Sequence, residues 1–409
     1  MGKRRVLITG ISGFVGPHLA KSYLDRGDEV YGLVRRRADG DVNRGLQELG
    51  IQNEVKKIEG NVEDLTSLLM AFDTAQPDFV FHLAAQSFVH RSFINPLEVV
   101  NSNAVGTANV LESMRLKAGN STKLVFAGSS EEYGFVATSR KQVERFEKSS
   151  GKIFPPVVRY PELPIAETNP LRPISPYAVT KVFGEYLSIE YAQSYGLRNV
   201  VSRGFNHEGA RRGSYFVTAA VARQISSLKR GETKNVSIGN VEAFRDWTHI
   251  DDMVKGYRLL AEKGEKGQAY NIGSERTNSV AGYILLCFEA AGMAVSGIET
   301  LRNGRKLKDP TAETRISMFG KKWQGTEIDR LLLEEEFSFS LKDGGFRVAT
   351  DSGGYDVVFD SERYRPTDVP ILLSDTSSIR KLGYSASHSV MDIVRDQLNY
   401  YADQQHRTR

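Results

Sequence analysis

The chain has 409 residues, 40% of them hydrophobic and 25% charged, with a formal net charge of +4. That balance excludes wholesale disorder and offers nucleic acid no strongly basic surface, so no nucleic-acid partner is expected. A single cysteine, Cys287, excludes an internal disulfide framework, and no apolar run approaches the ~20 residues needed to span a bilayer. The basic start "MGKRR", followed by only four apolar residues, reads as the approach to a first strand rather than a secretory signal, so a cytoplasmic location is expected.

From the N-terminus, short apolar runs alternate with helical patterns: "RRVLITG", "GPHLAKSYLDRG", "EVYGLV", "LTSLLMAF", "PDFVFHLAA", "AVGTANVLESMR" and "KLVFAGSS". This alternation predicts an α/β fold with a doubly wound parallel sheet of the Rossmann type over residues 1 to about 135. The first loop, "VLITGISGFVG", sets Gly10, Gly13 and Gly16 between strand and helix, with Phe14 and Val15 in the same turn. Glycines there let backbone N–H groups approach a pyrophosphate at the positive end of the helix. The second strand ends at Arg35, Arg36 and Arg37. An acidic residue at that point would accept from an adenosine ribose; arginines fit a 2′-phosphate, which favours NADP over NAD.

Two further stretches, "GNVEDL" at 60–65 and "HLAAQS" at 82–87, supply Asn61, Val62, Leu83, Ala84, Ala85 and Ser87 to the adenosine and ribose. A fourth strand runs into "VFAGSSEEYG", which puts Ser129 and Glu131 where parallel sheets open their binding crevice. Ser129 can hydrogen-bond a reacting hydroxyl or ketone. Simple oxidation at one carbon has no use for Glu131, whereas removing a proton beside a newly formed ketone requires such a base.

Residues 136–160, "VATSRKQVERFEKSSGKIFPPVVRY", break the rhythm with a short charged helix and an extended linker. "SPYAVTK" then places Tyr177 and Lys181 on one face of a helix, where the ammonium is expected to lower the phenol's pKa. The strand "RNVVSRGF" leads into "SRGFNHEGARRG", which reads as a phosphate-facing loop. Helices follow in "FVTAAVARQISSLKRG", "DDMVKGYRLLAEKG" and "VAGYILLCFEAAG", and they are assigned to a smaller lobe. The polar region from about 294 to 360 suggests a hairpin built on Gly-Gly turns. The expected division is 1–203 for the dinucleotide-binding domain, with its insertion at 136–160. Residues 204–409 then form mainly a mixed α/β substrate lobe, some segments returning to the first domain. No metal is expected.

With these residues in hand, the chain resembles extended short-chain dehydrogenase/reductases acting on nucleotide sugars, and more narrowly the GDP-mannose 4,6-dehydratases. "FNHEGARRGSYFVT" at 205–218, "RDW" at 245–247 and "YRPTDV" at 364–369 carry the likeness most specifically. The resemblance implies Tyr177 as the base for oxidation at C4, with Lys181 tuning it and binding the nicotinamide ribose, and Glu131 as the base at C5. It implies Asn206 at the sugar diphosphate, His207 and Arg212 near NADP, and Arg245 and Arg365 as a diphosphate clamp. Ser87, Ser129, Glu131, Val217, Gly239 and Asp368 complete the implied substrate contacts. The implied substrate is a nucleoside-diphosphate sugar, GDP-linked, and the implied assembly is a homodimer or homotetramer.

The chain also departs from that pattern. "GSSEEYG" is as close to the GDP-4-keto-6-deoxymannose reductases, and Glu132 stands where dehydratases have Leu or Met. Ala220 occupies a position where they tend to have Lys, and Asn61 one where an Asp contacts adenine. Ser129 and Tyr177 lie 48 positions apart, about twice the separation in relatives. The segment 136–160 is therefore read as an insertion beside the active site, a lid or a subunit contact. A 4-ketoreductase, a C4 epimerase and a non-catalytic cofactor sensor remain as alternatives, and the last would be expected to lose Tyr177 or Lys181.

Overall fold

The computed structural model describes residues 2–36, 43–365 and 367–403, so Arg37 lies outside the described residues. Six strands, β1 (Arg5–Thr9), β2 (Glu29–Val34), β3 (Lys56–Glu59), β4 (Phe79–His82), β5 (Lys123–Ala127) and β6 (Arg198–Gly204), are joined by Ala269–Ile272 in one sheet. The spatial order is Ala269–Ile272, β6, β5, β4, β1, β2, β3, and every pairing is parallel. Strand order reverses between β1 and β4, so a crevice opens beyond their carboxyl ends.

Apolar side chains alternate onto both sheet faces, and each face is covered. One is packed by Leu19, Ala20 and Tyr23 of helix Val15–Leu24 and by Met253, Tyr257 and Leu260 of helix Ile250–Lys263. The other is packed by Leu68 and Phe72 of helix Leu65–Ala75 and by Val110 and Met114 of helix Gly106–Lys117.

Two sequence expectations are corrected by this arrangement. The strand carrying Ser129 beyond its end is the fifth, because Lys56–Glu59 forms an edge strand whose two lysines are exposed and whose sequence has no apolar run. Helix Ile250–Lys263 does not belong to the smaller lobe. Its buried stripe faces the main sheet, against β5 and β6.

The remaining C-terminal segments build a second core. A five-stranded sheet runs Lys306–Lys308, Val295–Thr300, Gly345–Thr350, Gly353–Phe359, Asn235–Ile238, antiparallel except for its last, parallel pairing. Helices Val217–Lys229, Val280–Ala290 and Val390–Ala402 share its core, which also buries Cys287. In the expected hairpin the turn is Asp351-Ser352, with Gly344-Gly345 and Gly353-Gly354 at the strand starts rather than in the turn.

The insertion forms helix Arg140–Ser150, capped by Ser139, with Phe146 against Phe135 at a 4.3 Å ring separation. The returning chain is held by buried Arg172. Its guanidinium donates to both Glu162 carboxylate oxygens at 2.7 and 2.8 Å, and to the carbonyls of Pro155, Pro156 and Phe135 at 2.6, 3.1 and 3.2 Å. Arg172→Met would strand a buried carboxylate and three carbonyls. The expected cost is about 3–5 kcal/mol in denaturant unfolding, and a loss below about 1 kcal/mol would contradict this anchoring role.

Candidate active site

A cleft of about 870 Å³ lies at the point where strand order reverses. Its floor begins with the glycine loop. Gly10 adopts a φ of +75°, and a Cβ there would stand 2.6 Å from the Ala84 nitrogen. A Cβ on Gly16 would stand 2.6 Å from the Gly10 carbonyl oxygen. Side chains at these two positions would therefore close the turn that brings helix Val15–Leu24 up to the cleft. No side chain caps that helix's N-terminus, which leaves its first N–H groups available to an anion.

Above the loop the rings form a stack. The His207 imidazole lies parallel to Phe14 at 6.2 Å, and the Arg212 guanidinium lies 5.1 Å from Phe14 and 3.4 Å over Phe216. Arg212 is also paired with buried Glu208 at 3.3 Å. Its neighbour Arg211 holds a φ of +72°, with its Nε 3.4 Å from His18 Nε2. Burial, then the nearby arginine in each case, takes His207 and His18 down to about 4. Both imidazoles are thus neutral at pH 7, and the positive charge on this wall is that of the arginines.

The opposite wall is helix Pro176–Ser194. Ser175 caps it by accepting the Ala178 N–H at 3.1 Å, and Pro176 occupies the first helical position. Tyr177 and Lys181 both point inward and are buried. Lys181 Nζ donates to the Ala127 carbonyl at 2.6 Å, and the Ser129 side chain lies beside Tyr177. Burial brings Lys181 down to about 8. Burial also pushes the Tyr177 phenol up, against the lowering effect of Ser129. The expected depression of the phenol by the ammonium is therefore overridden by desolvation in the protein alone.

Glu131 completes the constellation, with Arg365 Nη1 at 3.9 Å from its carboxylate. Arg365 also lies 3.6 Å from Asp368, and Asp368 receives Arg245 Nη2 at 2.8 Å. Arg245 is otherwise engaged by the Phe244 and Val369 carbonyls at 2.9 and 2.6 Å. It holds the Asp368 carboxylate and the Val369 carbonyl and does not line the cleft.

The cleft gathers Gly10, Gly13, Phe14, Val15, Gly16, Arg35, Asn61, Val62, Leu83, Ala84, Ala85 and Ser87 on the cofactor side of the sequence assignment. It adds Ser129, Glu131, Tyr177, Lys181, Asn206, His207, Arg212 and Arg365. Asn206 Oδ1 is buried there without a donor, a polar atom open to a ligand. Arg36, Val217, Gly239, Arg245 and Asp368 do not line it; Arg36 is exposed and 4.0 Å from Glu59. None of residues 136–160 lines it either.

Several lining or supporting residues escaped the sequence reading. Arg44, Tyr400 and Tyr401 close the side near Arg35, with Arg44 Nη2 donating to the Tyr400 hydroxyl at 2.8 Å. They come from distant segments, and no local motif marks them. Asn103 lies in a π-helical turn, Val100–Val105, and ties Gln86 to Thr180 on the tyrosine helix. A mid-helix π turn is a structural signal of function, invisible to periodicity. Among the described residues one His/Asp group, His249, Asp251 and His388, has donors close enough to share a metal ion. Its imidazoles stack at 4.1 Å and 21°, so one ion cannot lie in both ring planes.

The glycine cradle, the bare helix terminus and the arginine wall fit a dinucleotide phosphate chain. Comparison with known proteins agrees with that geometry. A GDP-mannose 4,6-dehydratase of Sinorhizobium fredii (strain HH103) is 28% identical over 412 residues, covering 98% of each chain. A GDP-mannose 4,6 dehydratase of Homo sapiens is 30% identical over 341 residues, 81% of this chain and 84% of that one. Among solved structures, RMD from Pseudomonas aeruginosa complexed with NADPH superposes with a TM-score of 0.65 at 21% identity, covering 98% and 99% of the two chains. The UDP-glucose 4-epimerase of Thermotoga maritima with UDP-glucose gives 0.67 at 22% identity, covering 97% and 98%. At those identities the structural likeness speaks for the fold. The family model described as the NAD dependent epimerase/dehydratase family matches residues 6–273, and the chain belongs to that family.

Proposed function

We propose that the protein is an NADP-dependent nucleotide-sugar 4,6-dehydratase that converts GDP-mannose to GDP-4-keto-6-deoxymannose, with NAD as a possible substitute cofactor. The observation that carries this reading is Glu131, a second acid–base group on the same cleft as Tyr177, Ser129 and Lys181. The similarity to GDP-mannose 4,6-dehydratases along nearly the whole chain supports it. We take residues 1–203 as mainly the cofactor-binding unit and 204–409 as mainly the substrate lobe. A cytoplasmic location fits the lone cysteine, free and buried, and the described residues contain no helix long and apolar enough to cross a membrane.

The chemistry that NADP supplies when bound is reversible hydride acceptance, from C4 and back to C6, with no net change over a cycle. The chain's residues manage protons and position. Tyr177 takes the proton of the C4 hydroxyl, with Ser129 holding the same oxygen and Lys181 favouring the phenolate. The resulting ketone acidifies C5, whose proton passes to the Glu131 carboxylate. Glu131 passes that proton to the departing C6 hydroxyl, which leaves as water, and the proton taken up by Tyr177 balances the one that C5 regains when C6 is reduced. Arg365 and the Asn206–Arg212 loop hold the diphosphate. Arg35, with Arg44 beside it, favours a 2′-phosphorylated cofactor.

The second reading is a 4-ketoreductase, favoured by Glu132 in "GSSEEYG". It differs in consuming one NADPH per turnover. A C4 epimerase makes no use of Glu131.

The assembly we propose is a homodimer, or a tetramer built from it, through the outer face of helix Pro176–Ser194. Val179, Phe183 and Tyr186 are exposed there at helical spacing, beside exposed Ile94, Leu97 and Val100 on the adjoining helices. Phe183→Glu should yield a monomer by light scattering; an unchanged oligomer would refute this interface. Glu131→Gln should bind NADPH as the native protein does and lose roughly 10²–10⁴-fold in water elimination, the usual contribution of a positioned base. Undiminished turnover of GDP-mannose in that variant would sink the elimination mechanism.

A further inference from the structure

Glu132, next to the proposed C5 base, is fully buried and plays no part in the mechanism above. Its Oε1 accepts the Ser129 N–H at 2.6 Å, and its carboxyl fills the space that Gly128 leaves open, where a Cβ would stand 2.6 Å from that oxygen. Its Oε2 is buried with no donor to accept from. The group against it is another carboxylate, Glu185. Both Glu185 oxygens are already taken by Arg203, at 2.9 and 2.5 Å, and Arg203 Nη1 donates to the Tyr133 hydroxyl and the Glu167 carbonyl.

One guanidinium therefore faces two buried carboxyl groups. Two bare carboxylates in contact repel and cannot hydrogen-bond each other, whereas a shared proton turns the contact into a strong O–H···O⁻ bond. The charged and titratable neighbours are Glu185, Lys181 and Tyr177 on helix Pro176–Ser194, Arg203 on β6, and Glu131 and Tyr133 on the same turn. Lys181 donates to the Ala127 carbonyl, and among the described residues no hydrogen bond or ion pair joins it to either carboxyl group. Burial and Glu185 both push the Glu132 carboxyl well up, consistent with that geometry.

We propose that Glu132 is a positioning residue held as a neutral carboxylic acid, accepting the Ser129 N–H on one oxygen and donating its proton to Glu185 from the other. It bolts the turn bearing Ser129 and Glu131 to the Glu185–Arg203 pair without placing a second negative charge beneath Lys181. Leu or Met at this position could fill the space but could do neither job.

The turnover part of the test rests on the dehydratase reading; the spectroscopic part does not. The infrared difference spectrum of the native protein minus Glu132→Gln at pH 7 should show a protonated-carboxyl C=O band. Its absence overturns the proposal whatever the activity. In turnover of GDP-mannose, Glu132→Leu should lower kcat roughly tenfold or more, the worth of one lost buried hydrogen bond, with little change in KM. Glu132→Gln, which can accept and donate in the same places, should restore kcat and the native pH profile. If Glu132→Gln instead moves a limb of the kcat/KM profile by about one unit or more, Glu132 works as an anion and the proposal fails. If Glu132→Leu folds and turns over at the native rate, Glu132 positions nothing. A native protein with the band but no turnover of any nucleotide sugar would refute the dehydratase reading and leave the neutral acid standing.

Discussion

The site depends on a helix that turns polar side chains inward. Tyr177, Lys181 and Glu185 share one face of helix Pro176–Ser194, and all three are buried against the ends of β5 and β6. Burial of an ionisable group is costly unless each donor and acceptor is met. The surrounding chain answers them one by one: Ala127 accepts from Lys181, Ser129 stands beside Tyr177, and Arg203 holds Glu185. Moving any one of these partners moves the others, because Ser129, Glu131 and Glu132 lie on a single turn fixed by its own capping box.

The cofactor side obeys a different constraint, backbone clearance. The turn from β1 into helix Val15–Leu24 passes so close to the β4 exit that Gly10 and Ala84 leave no room for a side chain between them. The facing wall then supplies charge. Arg212 is fixed by Glu208 and two rings, while the neighbouring histidines stay neutral at pH 7. Charge and clearance together suit a pyrophosphate, and the tyrosine helix suits the reacting carbons beside it.

Much of this was legible in the sequence because it is local. The glycine loop, the Tyr-x-x-x-Lys spacing and the strand-ending Ser129 each fall within a few residues, where period and turn chemistry speak directly. What escaped depends on tertiary packing. Strand Lys56–Glu59 is an edge with two exposed lysines, so no hydrophobic pattern announced it. Helix Ile250–Lys263 has an ordinary amphipathic pattern that cannot say which sheet its stripe will meet. Arg245 looked like an anion clamp from its motif, yet the Asp368 carboxylate and the Val369 carbonyl use its donors. The 136–160 segment was recognisable as an insertion from the Ser129–Tyr177 separation, but its anchor, Arg172, lies outside it.

The central claim is that this cleft removes water from a nucleotide sugar and ends the cycle with its cofactor unchanged. The direct measurement is to incubate the purified protein with GDP-mannose and NADP, without added reductant, and follow the nucleotide sugar by mass spectrometry. A product lighter by one water, with no net NADPH formed or consumed, is expected. An unchanged mass in the presence of NADP would contradict the claim, and conversion of a 4-keto-6-deoxy sugar at the expense of NADPH would give the cleft to the reductase instead.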